Sequence, residues 1–305
     1  MKILFYGSGS DSLIILKKLF NNKNFILCGC ITKPAKPRGR GRHIIPTEVE
    51  QFCLCNNINV IHPLKLNSDE VYNWVKDLNP DIGVVASFGL YIPEILFSFP
   101  RLKTLNVHPS LLPEYRGAAP VRYVLFDNKA ETGVTIHYTA LKMDAGDILA
   151  STNVKIDPSD NYLSLSLRLF ETGADLLIDV LNNIDNIKPQ PQDDSKATYA
   201  RVLRKDDFFI DWDQEANKIL GKVRGLSPQP AAHLQIRNEV WKILKVEVYN
   251  NINCNNFSCG DIVISDVKKG LFIKCKDAVI RLNVIQRPGK RIMTDTELLK
   301  GYQPR

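Results

Sequence analysis

No stretch of the chain approaches the ~20 consecutive apolar residues of a membrane span, so a helical membrane protein is excluded and no membrane partner is expected. The opening run "MKILFY" is cut off by Gly7 and Ser8, too early for a secretory signal, so a cytoplasmic location is expected. The seven cysteines include no C-x-x-C pair: Cys28/Cys30 and Cys53/Cys55 are C-x-C, and Cys254 and Cys259 stand five apart. They read as reduced, incidental thiols rather than a zinc ribbon. The five histidines form no H-x-x-x-H pattern, and no carboxylate spacing suggests a metal. His43, His62, His137 and His233 read as structural or solvent-facing. The run "GSGSDSL" after the first apolar segment lacks the third glycine of a dinucleotide fingerprint, because Ser12 stands there. A tight strand-to-helix turn is the better reading, and it disfavours a nicotinamide dehydrogenase. There are no internal repeats.

What is present is ordinary globular protein: 44% hydrophobic and 24% charged over 305 residues, a length that suggests about two domains. Of the net charge of +7, +5 falls from Asp207 onward, where 16 Lys and Arg face 11 Asp and Glu. A solvated surface or a polyanionic partner would both account for that excess.

Apolar runs at "KILFY", "NFILCGCIT", "NVIH", "DIGVVAS" and "TLNVH" alternate with helical patterns such as "DSLIILKKLF" and "SDEVYNWVKDL". This alternation predicts an α/β fold with a doubly wound, mainly parallel sheet. "GVTIHYTAL" and "DAGDILASTNVKI" read as a hairpin, followed by a long helix. The polar, aperiodic stretch 188–206 reads as a linker between a catalytic domain, 1–187, and a C-terminal domain, 207–305. Short strands such as "AAHLQIR", "EVWKILKVEVY" and "AVIRLNVIQ" give that last region the pattern of a small OB-like β-barrel.

In doubly wound sheets ligands bind beyond the strands' C-terminal ends, which directs attention to "VVASFGLYIP" and "LNVHPSLLP". Asn106 and His108 lie two apart in a strand and so share a face. An amide offers N–H donors to an oxyanion, and an imidazole donates to one or exchanges a proton near neutral pH. No Ser or Cys nucleophile accompanies this histidine, so direct attack by a substrate nucleophile on a bound carbonyl fits better than a covalent intermediate. "LKMDAGDILA" supplies two carboxylates, Asp144 and Asp147, either of which could orient His108. The run 33–43, "KPAKPRGRGRH", carries Lys33, Lys36, Arg38, Arg40 and Arg42 and no acid. It is a solvated loop or a grip for phosphates.

These residues resemble the folate-dependent formyltransferases. "LNVHPSLLPEYRGAAP", then "ETGVTI" and "MDAGDIL", match that family's Asn-x-His-Pro-Ser-Leu-Leu-Pro signature and its acidic loop. "KPRGRGRHIIP", "ASFGLYIP", "DFFIDW", "VRGLSPQPAA" and "RPGKRIM" are similar to segments of the members whose acceptor is methionyl-tRNA, so the resemblance covers essentially the whole chain. The first loop departs from it, reading "GSGSDS" where a Gly-Thr-Pro turn is usual, and Glu114 stands where a base is common.

The resemblance implies a formyl transfer from 10-formyltetrahydrofolate to the α-amine of methionyl initiator tRNA. It implies Asn106, His108 and Asp144 as the catalytic trio. It implies folate contacts at Phe88, Gly89, Leu90 and Tyr91 and at Ser110, Leu111, Leu112 and Pro113. It implies tRNA contacts at Lys36, Arg38, Arg40, Arg42, Lys290 and Arg291, with no metal and a monomeric enzyme. The competing readings are a formyltransferase for an amino sugar nucleotide, which would not need the basic loop, and a non-enzymatic tRNA-binding protein.

Overall fold

The computed structural model describes residues 1–38 and 43–304, with the backbone alone at 36–38 and 43. Two compact units are present: residues 1–118, 131–155 and 166–199 form one, and 119–130, 156–165 and 200–305 the other. Among the described residues no helix is long and apolar enough to cross a membrane.

The first unit is built on the strands β1 (Lys2–Gly7), β2 (Ile26–Ile31), β3 (Lys36–Arg38), β4 (His43–Ile45), β5 (Val60–Ile61), β6 (Ile82–Ala86), β7 (Thr104–His108), β8 (Arg116–Gly117), β9 (Glu131–Tyr138) and β10 (Ile148–Lys155). Seven of them form one sheet in the order β10-β9-β7-β6-β1-β2-β5. The pairs from β5 to β7 are parallel; β9 and β10 are added antiparallel. β3 and β4 pair separately as an antiparallel hairpin at the base of the basic run.

Central strands β1 and β6 are nearly continuous apolar runs because both faces of a parallel sheet are covered. The helices Glu48–Cys55 and Asp69–Leu78 start where Thr47 and Ser68 accept a hydrogen bond from the N–H of Glu50 and Val71. Ser12, in place of a third glycine, donates to Ala86 O at 2.6 Å and accepts the Ser8 N–H at 3.0 Å. It ties the first loop to the end of β6, which is why that turn holds without the dinucleotide pattern.

In the second unit, strands pair antiparallel in the order Ala232–Ile236, Glu239–Tyr249, Val279–Gln286, Gly270–Lys274, Ile262–Asp266, with Ile292–Thr294 also on Val279–Gln286. The helix Ala216–Leu226 seals the core with Ile219, Val223 and Leu226 against Trp241, Ile243 and Ile285. These strands form a six-stranded antiparallel sheet, compatible with the small OB-like barrel expected here.

Candidate active site

Asn106 and His108 project from one face of β7, as their spacing predicts. β9 lies antiparallel beside that strand, with His137 directly opposite Asn106 and Thr135 opposite His108. Because β9 runs the other way, the loop 139–147 leaves beside the start of β7, where the Thr139 N–H donates to Thr104 O. The loop then doubles back, and Asp144 meets Asn106 from across the face.

The resulting contacts are close. The Asn106 amide donates from Nδ2 to Asp144 Oδ1 at 3.2 Å and to His137 Nε2 at 3.1 Å. Asp144 Oδ2 accepts the Gly117 N–H at 2.7 Å and lies 3.7 Å from His108 Nδ1. His108 Nε2 meets Tyr115 O at 3.0 Å. A carbonyl only accepts, so Nε2 carries a proton, and Nδ1 is the nitrogen that faces Asp144. By the same reasoning His137 donates from Nδ1 to Tyr138 O at 2.8 Å, which leaves Nε2 as the acceptor for Asn106. His108 and His137 are buried, and the Asp144 side chain is 13% exposed.

Burial holds His137 neutral and pushes its pKa down to about 4, with the positive charges of His108 and Arg116 adding to the effect and the Asp144 carboxylate opposing it. His108, His137 and Asp144 bring three atoms of metal-ligand type within 4.8 Å of one another, the one such group among the described residues. The Asn106 amide hydrogen-bonds to two of its members.

Of the two candidate carboxylates, Asp144 enters the group. Asp147 is exposed, and its backbone carbonyl serves the Tyr138 N–H. Asp144 adopts φ +51 and Tyr115 φ +58, left-handed values that cost about 1–3 kcal/mol for such residues and cluster where surrounding bonds over-determine the backbone.

The run Ser110 to Pro113 lies against β9. Thr135 donates to Ser110 O at 2.7 Å and accepts the Leu112 N–H at 3.1 Å, and Ser110 Oγ donates to Glu114 O at 2.7 Å. Leu111 packs over Gly133, where a Cβ would come within 2.4 Å of it. After β6, Phe88 is buried, Gly89 adopts φ +64, Leu90 is half-buried and Tyr91 is 69% exposed. Leu141 and Met143, in the Asp144 loop, are also exposed apolar side chains.

Arg40 and Arg42 lie outside the described residues; Lys36 and Arg38 sit in β3, their side chains undescribed. Lys290 and Arg291 are exposed in the second unit, between Val279–Gln286 and Ile292–Thr294, and Arg291 pairs with Glu297 at 3.1 Å.

Three residues of this neighbourhood escape a reading of the sequence. His137 looks like any histidine on a strand until the β7/β9 register is known. Arg116 is fully buried, and Gln192 lies far along the chain, yet Arg116 donates from Nε and Nη2 to Gln192 Oε1 at 3.0 and 2.7 Å.

The comparisons point one way. The family described as Formyl transferase matches residues 1–181, and Formyl transferase, C-terminal domain, matches 202–303. A methionyl-tRNA formyltransferase of Sulfurihydrogenibium sp. is 40% identical over 307 residues, covering 99% of this chain and 97% of its own length. That of Dictyoglomus thermophilum is 38% identical over 306 residues, with 99% and 97% covered. Among solved structures, the sugar 3N-formyltransferase WlaRD superposes with a TM-score of 0.65 at 22% identity, over 95% of this chain and 99% of its own. HypX from Aquifex aeolicus with tetrahydrofolic acid gives 0.63 at 17%, over 98% of this chain and 47% of its own. At these identities the two structures share the fold.

Proposed function

As the chain belongs to the methionyl-tRNA formyltransferase family, we propose that Asn106, His108 and Asp144 form its catalytic centre, with His137 holding the Asn106 amide. The reaction transfers the formyl group of 10-formyltetrahydrofolate to the α-amino group of methionyl initiator tRNA. The single observation that carries the site assignment is the convergence of Asn106, His108 and Asp144 on one point, from one strand and a doubled-back loop.

The donor supplies a carbonyl already activated as an N-formyl group; everything else falls to the chain. The attacking α-amine has a pKa of about 8, so a useful neutral fraction exists at pH 7. As it adds, negative charge grows on the formyl oxygen. Asn106 is the donor for that charge, and one such donor is worth ~3 kcal/mol. In the resting site both amide hydrogens already have acceptors, so the oxyanion takes over one of them. Asp144 can release its share because Oδ2 keeps the Gly117 N–H. We assign His108 Nδ1, beside the Asp144 carboxylate, to the route of the proton the amine must lose before N10 of the folate receives one.

Tyr91, Leu141 and Met143 offer exposed apolar surface of the kind a planar pterin and its benzoyl arm would cover. Ser110 to Pro113 would contribute through its backbone and Leu111, since the Ser110 hydroxyl is committed to its own loop. Lys36, Arg38, Arg40 and Arg42, with Lys290 and Arg291, would meet tRNA phosphates. We place the enzyme in the cytoplasm as a monomer, a state that size-exclusion chromatography with light scattering checks.

The test is a formylation assay with 10-formyltetrahydrofolate, offering methionyl initiator tRNA and an amino sugar nucleotide in parallel. Turnover is expected with the tRNA; turnover with the sugar alone would overturn the acceptor assignment.

A further inference from the structure

Asp144 is held in place by its neighbours rather than by its strand. The loop 139–147 has to double back over the sheet, and Asp144 itself adopts φ +51. What fixes its backbone comes from a distant part of the same unit, in a stretch of polar, aperiodic sequence. Gln190 pairs with Ile148 at the first residue of β10, each N–H donating to the other's carbonyl at 2.8 Å. Two residues on, Gln192 Nε2 donates to Asp144 O at 2.9 Å and to Gly146 O at 2.7 Å. Its Oε1 accepts both N–H groups from Arg116. Every donor and acceptor of this amide is therefore in use. The orientation is unambiguous, because a flipped amide would turn its N–H groups on a guanidinium and its oxygen on two carbonyls.

Arg116 is the other half of the clamp. Its fully buried guanidinium lies 2.8 Å from Asp194 Oδ1 as an ion pair, and Lys142, in the same loop as Asp144, meets Asp194 Oδ2 at 2.6 Å. On either side of Arg116 the backbone serves the catalytic side chains directly: Tyr115 O accepts the His108 Nε2–H, and the Gly117 N–H donates to Asp144 Oδ2. The loop has no slack to find this arrangement by itself, since a Cβ at Gly146 would stand 1.9 Å from Tyr138 O.

We propose that Gln192 is a positioning residue for formyl transfer: bridging Arg116 to the Asp144 and Gly146 carbonyls, it locks the doubled-back loop so that the Asp144 carboxylate meets Asn106 and His108. This rests on the reading that Asp144 takes part in the reaction.

Steady-state kinetics on a double-mutant cycle tests it. Gln192→Ala is expected to lower kcat roughly 10- to 100-fold, the scale of a misplacement of about 1 Å at a reacting centre. KM for methionyl-tRNA should stay near wild type, while the thermal unfolding midpoint drops modestly, because the buried Arg116 loses two hydrogen bonds but keeps its ion pair with Asp194. In an Asp144→Asn background, where the carboxylate is already lost, the same change should cost no more than about twofold further. Gln192→Glu keeps the shape and the acceptor for Arg116 but turns a carboxylate on two carbonyls, so it should lose at least as much kcat as the alanine variant. That variant serves if the alanine protein folds poorly. Wild-type kcat in both Gln192 variants, or full additivity with Asp144→Asn, overturns the proposal. Near-wild-type turnover of Asp144→Asn itself removes the reading beneath it, a result separate from either.

Discussion

His108 Nδ1 and Asp144 Oδ2 face each other across 3.7 Å. His108 Nε2 donates to Tyr115 O, so Nδ1 is the ring nitrogen turned to the carboxylate, in a buried site. In the proposed mechanism this pair lies on the route of the proton that the attacking amine must shed.

His108→Gln cannot take up that proton. Its kcat should fall about 10²- to 10⁴-fold, the range for loss of a general acid–base group. Affinity for methionyl-tRNA, read by direct titration, should change little. Wild-type turnover in this variant would remove His108 from the proton's route.

His137 makes a prediction about pH and stability. Its folded-state pKa is lowered to about 4 by burial, against 6.5 when exposed. Above 6.5 both states leave it neutral and it makes no pH-dependent difference. As the pH falls from 6.5 toward 4, the unfolded chain binds a proton that the folded chain refuses, so stability declines, by a total on the order of 3 kcal/mol, before levelling. His137→Gln keeps an acceptor near Asn106 without titrating. Urea unfolding across this window should show the wild type losing more stability than the variant; parallel curves would mean that His137 is charged in the folded protein.

Much of this arrangement is legible in one dimension, for identifiable reasons. The parallel sheet follows from apolar runs at 2–6 and 82–86 that must be buried on both faces. The shared face of Asn106 and His108 follows from strand periodicity. The Asn-x-His-Pro-Ser-Leu-Leu-Pro signature narrows the chemistry further. What the chain order hides is whatever depends on cross-strand register or on a loop's return path. His137 becomes part of the site only because β9 sets it opposite Asn106. The choice between Asp144 and Asp147 depends on how the loop turns back. Gln192 sits in a stretch whose composition reads as a connector, and nothing local to it says that its side chain reaches Asp144. Short alternating strands in the last third specify an antiparallel sheet compatible with an OB-like barrel, but leave its closure open.

The basic run offers a test of the acceptor. β3 and the start of β4, which pair with each other, belong to it, and Arg40 stands in a stretch with five Lys and Arg and no acid between 33 and 43. Arg40→Ala should reduce kcat/KM for methionyl-tRNA by about tenfold. It should also lower the slope of log affinity against log salt by about one, as expected for one lost phosphate contact. Kinetics and salt dependence identical to wild type would assign this run to solvent.

The second unit hangs on one buried carboxylate. Asp295 is 1% exposed, and its Oδ2 accepts Arg281 Nε at 2.8 Å and the Leu271 N–H at 3.0 Å, while Oδ1 accepts Arg281 Nη2 at 3.2 Å. Oδ2 also occupies the space beside Gly270, where a Cβ would stand 2.2 Å from it, so the strand Gly270–Lys274 is keyed to this residue. Arg281 in turn has its pKa raised, chiefly by the hydrogen bond to Asp295. Removing the carboxylate leaves a guanidinium and a buried N–H without their partner, a change that costs about 3–5 kcal/mol when a buried pair is broken from one side. Asp295→Ala should therefore unfold the C-terminal unit at markedly lower urea. Replacing the pair together, as Asp295→Leu with Arg281→Met, should recover part of the loss, because an apolar pair carries no desolvation penalty. If the single variant unfolds at the wild-type midpoint, this contact is not what holds the sheet to its C-terminal helix.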